Sequence, residues 1–414
     1  MRILAASAAI LVAVVAAVPA QAASNDPRRA QQWGLDMVNA DPAHSVTTGR
    51  GALVAVVDTG VFARHEDLRG RLLRGHDFVQ KDRRPQDGNG HGTHVSGIVV
   101  ATANNGRGGE GAAPGARVLP VRVLGNDGSG SANVVAKGID YAVDQGADVI
   151  NLSLGDLPVA SSALGENARF VAAISRANRA GVVVAAAAGN DSLPLCEQPS
   201  VRGQILCVGA VDRRGLRSFF SSSGNVMAPG GSALGGSGED ILSTYNNGGY
   251  EDLAGTSQAT PFVSAVAALL ASRGVFGGAA VSRILGTARD AGLPGPDPMF
   301  GNGIVDARAA VSGLPASALS VRVTRRQATR AALRRGVRLR CRPSRSGRCT
   351  ARARARGKLV ASGSRHVRGG RTSFVTARVT RAGRRALRRS SVRASLTVRV
   401  PGVGRVGRRL VFVR

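Results

Sequence analysis

The sequence predicts a parallel α/β sheet with helices on both faces, followed by a small β-rich unit. Short apolar runs alternate with helical stretches through most of the chain, the rhythm of strand–helix–strand repetition. From about residue 317 the rhythm becomes a period of two, apolar residues alternating with arginine, as in strands with one wet face. Charge divides the chain at the same place. The 414 residues carry a net charge of +30, and residues 317–414 hold 30 Lys+Arg and no Asp or Glu. The remaining 26 basic groups balance all 26 acidic groups in residues 1–316. A neutral body therefore carries a basic tail, and a globally basic nucleic-acid protein is a poor description. Apolar residues are 43% of the chain and aromatics 3%. A large core of Ala, Val, Leu and Ile follows, and disorder throughout is excluded.

The elements follow in order. After Arg2, residues 3–18 are apolar except Ser7, and Ala20-Gln21-Ala22 supplies small residues at peptidase spacing. Residues 1–22 thus read as a secretory signal peptide; the run is shorter than the roughly 20 residues that span a bilayer. Residues 52–57, 117–124, 147–154, 181–188 and 205–211 read as buried parallel strands. Helical patterns lie at 91–103, 131–145, 163–180, 257–272 and 279–288. These make a body of residues 23–316. In the tail, 317–414, strands are expected at 319–323, 337–342, 351–356 and 392–400, and Ala332-Leu333-Arg334-Arg335 recurs as Ala386-Leu387-Arg388-Arg389. The alternating arginines are expected to cover a solvent face.

The four cysteines fit export. Cys196 and Cys207 are near in sequence, as are Cys341 and Cys349. Two local disulfides are the simplest pairing; the sequence leaves the other two connectivities open. Neither pair has close zinc-ligand spacing or a flanking histidine.

Three motifs carry chemistry. Val56-Val57-Asp58-Thr59-Gly60 puts a carboxylate at the end of a buried strand. His91-Gly92-Thr93-His94 and Gly255-Thr256-Ser257-Gln258 each open a helix. Amide hydrolysis by serine needs a base for the hydroxyl proton and an acid group to orient that base. Asp, His and Ser at strand ends and helix starts converge where open α/β sheets form their clefts. Ser257 at a helix start has free N–H groups suited to a developing oxyanion. His91 and His94 lack the His-Glu-x-x-His spacing of a metal site.

The order Asp, His, Ser is that of subtilisin, and from about Trp33 to Val311 the chain resembles the subtilisin-like serine peptidases, the subtilases. Asp127-Gly128-Ser129-Gly130, Asn151-Leu152-Ser153-Leu154-Gly155, Ala187-Ala188-Gly189-Asn190, Ala228-Pro229-Gly230-Gly231 and Gly301-Asn302-Gly303 match as well. The resemblance implies a secreted serine endopeptidase whose chemistry needs no cofactor. It implies Ser257 as nucleophile, His91 as general acid/base, Asp58 as its support and Asn190 as oxyanion donor. Gly128, Ser129 and Gly130 on one side, with Ser153, Leu154, Gly155, Ala188 and Gly189, match the edges that hold an extended substrate. Asp67 and Asn105 match calcium ligands of stabilised relatives, although Arg107 and the surrounding glycines depart from the usual loop. Gln258 and Phe262 stand where the family most often has Met and His. Only Ala23 to Arg29 or so separates the signal from Gln31-Gln32-Trp33, so no propeptide domain is expected.

Selectivity is bounded internally. Arginine pairs at 325–326, 334–335, 384–385, 388–389 and 408–409 would expose the tail of a dibasic-specific enzyme to its own activity, so broad or apolar preference is expected. The tail's charge points to anionic cell-envelope polymers as partners. Its only aromatics are Phe374 and Phe412, too few for the stacking that single-stranded nucleic acid requires. The alternative to an active peptidase is a catalytically silent envelope-binding protein led by the tail.

Overall fold

The computed structural model describes residues 24–154, 164–197, 203–236, 238–314, 319–323, 326–343, 346–368, 373–389, 391–400 and 404–413. The predicted signal peptide and Gly155 lie outside these residues. Two short helices, α1 (Trp33–Met37) and α2 (Ala40–His44), open the chain. Then come β1 (Leu53–Asp58), β2 (His76–Asp77), α3 (His91–Val100), β3 (Arg117–Arg122), α4 (Ala132–Gln145), β4 (Val149–Leu152), α5 (Leu164–Arg179), β5 (Val183–Ala187), β6 (Leu206–Val211) and β7 (Val226–Pro229). A hairpin of β8 (Ile241–Thr244) and β9 (Tyr250–Leu253) leads into α6 (Thr256–Ser272), α7 (Gly277–Gly286) and α8 (Ala307–Val311).

The seven strands β2-β3-β1-β4-β5-β6-β7 form one parallel sheet in that order. β1 shows why the apolar runs are continuous. Val54 and Val56 face a core shared with α3 and α6, while Leu53, Ala55 and Val57 face a second core shared with α4 and α5. Both faces are covered, so neither face of the strand can be polar. The five predicted strands and five predicted helices all occur, trimmed by a few residues. β2, β7 and the hairpin were not expected. β2 has two residues, and β9 reads Tyr-Glu-Asp-Leu with no buried member.

The tail folds as β10 (Leu319–Val323), β11 (Arg326–Ala328), α9 (Thr329–Arg335), β12 (Val337–Pro343), β13 (Gly347–Ala355), β14 (Lys358–Val367), β15 (Ser373–Val379), α10 (Arg381–Arg389), β16 (Val392–Val400) and β17 (Gly404–Val413). Eight strands, ordered β10-β12-β15-β14-β13-β16-β17-β11, curl around one core. Val337, Leu339 and Cys341 point inward and Arg338 outward, the expected period-two pattern. Disulfides join Cys196 to Cys207 and Cys341 to Cys349, with Cα–Cα distances of 6.3 and 6.8 Å. The simplest pairing is therefore the observed one. The tail touches the body where Arg342 Nη1 donates to the Arg50 carbonyl at 3.4 Å and Arg408 lies over the Phe276 ring at 5.0 Å.

The N-terminal segment is held by Arg29, which donates to Glu110 at 3.0 Å, to Asp41 at 2.8 Å and to Asp36. Burial, and then the neighbouring Asp41, push the Glu110 carboxyl up to about 8 despite this cation. An acid raised on folding keeps a proton that the unfolded chain has lost, so its contribution to stability falls as pH rises from 4.5 to about 8. Unfolding midpoints measured across that window should fall for the parent and fall less for Glu110→Gln.

Candidate active site

Parallel strands place their carboxyl ends at one edge, and the motifs gather there. β1 ends at Asp58, β3 leads into the turn at 125–130, β4 into Ser153 and β5 into Asn190. β1 lies between β3 and β4, so the chain departs from it in both directions, and the crevice opens at that point. Val123 and Leu124 donate their N–H groups to the Asp58 carbonyl at 2.9 and 3.3 Å.

Asp58 is fully buried. Its Oδ1 accepts from the Thr59 N–H at 2.7 Å and lies 2.8 Å from His91 Nδ1. His91 opens α3 behind Gly90, whose φ of +114° suits glycine, and a Cβ there would meet the Tyr245 ring at 2.3 Å. Asp87 organises this helix start. It accepts from the N–H groups of Asn89, Gly90 and Thr93 and from the Thr59 and Thr93 hydroxyls. Burial alone would lower the His91 pKa. The charge and hydrogen bond of Asp58, and then the charge of Asp87, outweigh burial and raise it above 6.5. One turn on, His94 is fully buried, its Nε2 3.0 Å from the carbonyls of Ile241 and Glu251. Burial pushes its pKa down to about 4, so it stays neutral and clips the hairpin to α3.

Ser257 is the second residue of α6 and is 9% exposed. Pro261 has no N–H to give the Ser257 carbonyl four residues earlier. The Ser153 hydroxyl donates to that carbonyl instead at 2.7 Å. Ser153 in turn accepts from Asn151 Nδ2 at 3.0 Å, and Ser264 donates to Asn151 Oδ1 at 2.8 Å. Ser257 Oγ is directed at the Ser153 carbonyl, 3.4 Å away. Asn190 Oδ1 accepts from the Thr256 N–H and hydroxyl at 3.0 and 3.1 Å, which leaves its amide NH₂ as the donor end on an exposed residue. Gly189 donates to Thr256 Oγ1 at 3.3 Å, and Ala188 is buried beside it.

The turn with Gly128, Ser129 and Gly130 stands next to β1, closed by Gly125 N–H donating to the Ser129 carbonyl at 2.8 Å. Asp58, His91, Ser257 and Asn190 are thus brought to one edge, with Ser153, Leu154, Ala188 and Gly189 between them. Phe262 is buried against Gly34, where a Cβ would meet its ring at 2.8 Å. Sequence reading did not single out Asp87, Thr256 or Ser264. Asp87 had a signal, an acid in a glycine-rich stretch just before a helix start; Ser264 had none.

Asp67 lies elsewhere, fully buried below the loop 104–109. Its oxygens accept from Asn105 Nδ2 at 2.8 Å, the Tyr250 hydroxyl at 2.9 Å and the Gly109 N–H at 3.2 Å, all neutral donors. Burial raises its pKa. Asp26 grips the same loop, accepting from the N–H groups of Asn104, Asn105 and Gly106. Asn105 turns its amide nitrogen toward Asp67, and Asp26 spends its oxygens on loop N–H groups; calcium, which takes oxygen ligands, would have to displace these bonds, and its charge would offset the cost of burying Asp67.

The subtilase family model matches residues 49–303. The chain belongs to the subtilase family. Thermitase of Thermoactinomyces vulgaris is 44% identical over 254 residues, 60% of this chain and 86% of that protein. Subtilisin Savinase of Lederbergia lenta is 40% identical over 242 residues, 58% of this chain and 83% of its own. A solved protease structure from Pseudoalteromonas arctica superposes with a TM-score of 0.62 at 33% identity, covering 70% of this chain and 99% of that one. The protein is a serine-type endopeptidase, and the subtilase reaction uses no cofactor.

Gly92 tests the geometry. A Cβ there would lie 2.2 Å from the Gly60 carbonyl oxygen and 3.2 Å from Asp58. Backbone must shift to admit it, which displaces His91 from Asp58. Gly92→Ala should lower kcat/KM on the order of 100-fold while the purified protein keeps its circular dichroism.

Proposed function

We propose that the subtilase works as a secreted endopeptidase through Asp58, His91 and Ser257. The observation that supports this most is the 2.8 Å contact of His91 Nδ1 with the buried Asp58, at the sheet edge that also carries Ser257 and Asn190. Ser257 Oγ attacks the scissile carbonyl as His91 Nε2 takes its proton. The Oγ–Nε2 bond forms with substrate in place, as catalytic hydrogen bonds tighten on binding. The Ser257 N–H and the Asn190 NH₂ meet the oxyanion. Collapse breaks the C–N bond, the amine leaves with the proton from His91, and a water deprotonated by His91 then releases the acyl group. Asp58 holds the imidazole tautomer and supports its cation.

Residues 1–22 act as a cleaved signal, 23–316 as the peptidase and 317–414 as a basic unit that holds the enzyme at anionic cell-envelope polymers. Substrate lies extended between Gly128–Gly130 and Ser153–Gly155, with Ala188 and Gly189 on its far side. Backbone bonds supply affinity there, and preference is broad or apolar. Asp67 and Asn105, with Asp26, would hold calcium, which supplies stability and takes no part in the reaction.

Secreted protein should cleave unfolded casein and take one phosphonyl-fluoride label on Ser257, and Ser257→Ala should do neither. No cleavage and no label on the folded parent would leave a silent binding protein. Asn190→Ala should lose roughly 100- to 1,000-fold in kcat. The base must be neutral and its pKa is raised, so the acid limb of kcat/KM should lie above pH 6.5. Asp58→Asn should move that limb to lower pH and reduce the rate on the order of 10⁴-fold. Saturating calcium should raise Tm by roughly 5–10 °C in the parent and leave Asp67→Asn unchanged; equal curves with calcium and with chelator would overturn the calcium site.

A further inference from the structure

The recurring Ala-Leu-Arg-Arg falls on the ends of two helices, α9 and α10. Both begin with Thr-Arg-Ala, at Thr329 and at Thr380 just before α10, and both connect two strands. They pack as neighbours. α10 is seated by Gly383, where a Cβ would lie 2.0 Å from the Val360 carbonyl oxygen, and by Leu387, 1% exposed. Its opposite face presents Arg381, Arg384, Arg385 and Arg388, all exposed and spaced i, i+3, i+4, i+7. α9 buries Thr329 and Ala332 and exposes Arg330, Arg334 and Arg335.

This arrangement opposes the stability of both helices. Like charges one turn apart repel, and Arg381 in the first turn meets the positive end of the helix dipole. No Asp or Glu occurs in residues 317–414 to offset them. Solubility alone is served by mixed charges without that cost. An external polyanion removes it. Guanidinium forks match phosphate oxygens in pairs, and Arg381, then Arg384 and Arg385, then Arg388 follow one another turn by turn, about 5.4 Å along the axis. The tail offers bases one exposed aromatic ring. Phe412 is buried, and Phe374 is covered by Arg338 at 3.9 Å and Arg340 at 5.5 Å.

We infer that the α9–α10 face binds a linear, base-free polyol-phosphate polymer of the cell envelope, its phosphodiesters lying along the arginine rows. This rests on the reading that the basic unit tethers the enzyme to the envelope. The test uses full-length Ser257→Ala protein, which cannot digest itself, and fluorescein-labelled poly(glycerol phosphate) followed by anisotropy across a salt series. Replacing Arg381, Arg384, Arg385 and Arg388 by Gln should weaken binding at least about 30-fold and flatten the log–log salt slope by about 3. The same four positions as Lys should keep the salt slope of the parent while losing part of the affinity, which separates lost charge from lost folding and from lost fork geometry. A matched variant with Arg348, Arg352, Arg354 and Arg365 as Gln should stay within about threefold of the parent. Equal losses in the two Gln variants, or tighter binding of duplex or single-stranded DNA of equal charge, would overturn the proposal. Sedimentation with isolated envelopes separates the two levels. If the parent sediments and the α10 Gln variant sediments equally, the tether stands and this face is wrong. If the parent does not sediment, the tether itself is wrong.

Discussion

One hydrogen bond sets the position of Ser257. Pro261 deprives the Ser257 carbonyl of its helical partner, and the Ser153 hydroxyl takes that place at 2.7 Å. The first turn of α6 is thereby pinned to the end of β4. Asn151 and Ser264 hold Ser153 from behind, all of them buried. Thr256, in the same turn, fixes Asn190 by two bonds to its Oδ1. Ser257 and Asn190 are thus both held by one turn of backbone. Their mutual placement is settled before any substrate arrives, as the oxyanion role proposed for Asn190 requires.

The two histidines of α3 show how strongly surroundings decide chemistry. They are three residues apart on one helix. His91 faces Asp58, with Asp87 near, and its pKa rises. His94 faces two backbone carbonyls, and burial takes it down to about 4. One has its hold on a proton strengthened by its carboxylate partner, and the other stays a neutral strut. Asp87 serves both ends of this arrangement, since it caps the helix that carries His91 and adds to the field that His91 feels.

The central strands were legible because both their faces are buried, which leaves an unbroken apolar run in the sequence. β7 is equally buried but only four residues long, and β9 is held by its hairpin partner rather than by burial. In the tail the period of two revealed β10, β12, β13 and β16. It hid α9 and α10, whose Arg-Ala-Leu composition carries too few apolar residues to mark a helical stripe. Gly383 and Leu387 alone seat α10. Asp58, His91, Ser257 and Asn190 were readable because each sits in a fixed local motif. Asp87 and Ser264 act through space, as does Thr256 on Asn190, 66 residues away in sequence, and a linear sequence does not show which distant residue will arrive behind another.

Charge is used differently in the two sheets. In the body the buried guanidinium of Arg122 meets Asp77 at 3.0 Å, and Arg176 meets Asp144 at 2.7 Å. Cations and anions balance there, and residues 1–316 sum to zero. In the tail no carboxylate side chain exists to consume them, so charge turns outward. The contact between the parts keeps these uses apart. Arg342 reaches Arg50, just before β1 begins, whereas Asp58 ends β1. Six residues of strand at about 3.3 Å each separate these points by about 20 Å. That exceeds the screening length of roughly 8 Å at physiological salt. The sheet edge that carries the cleft is therefore the one opposite the contact.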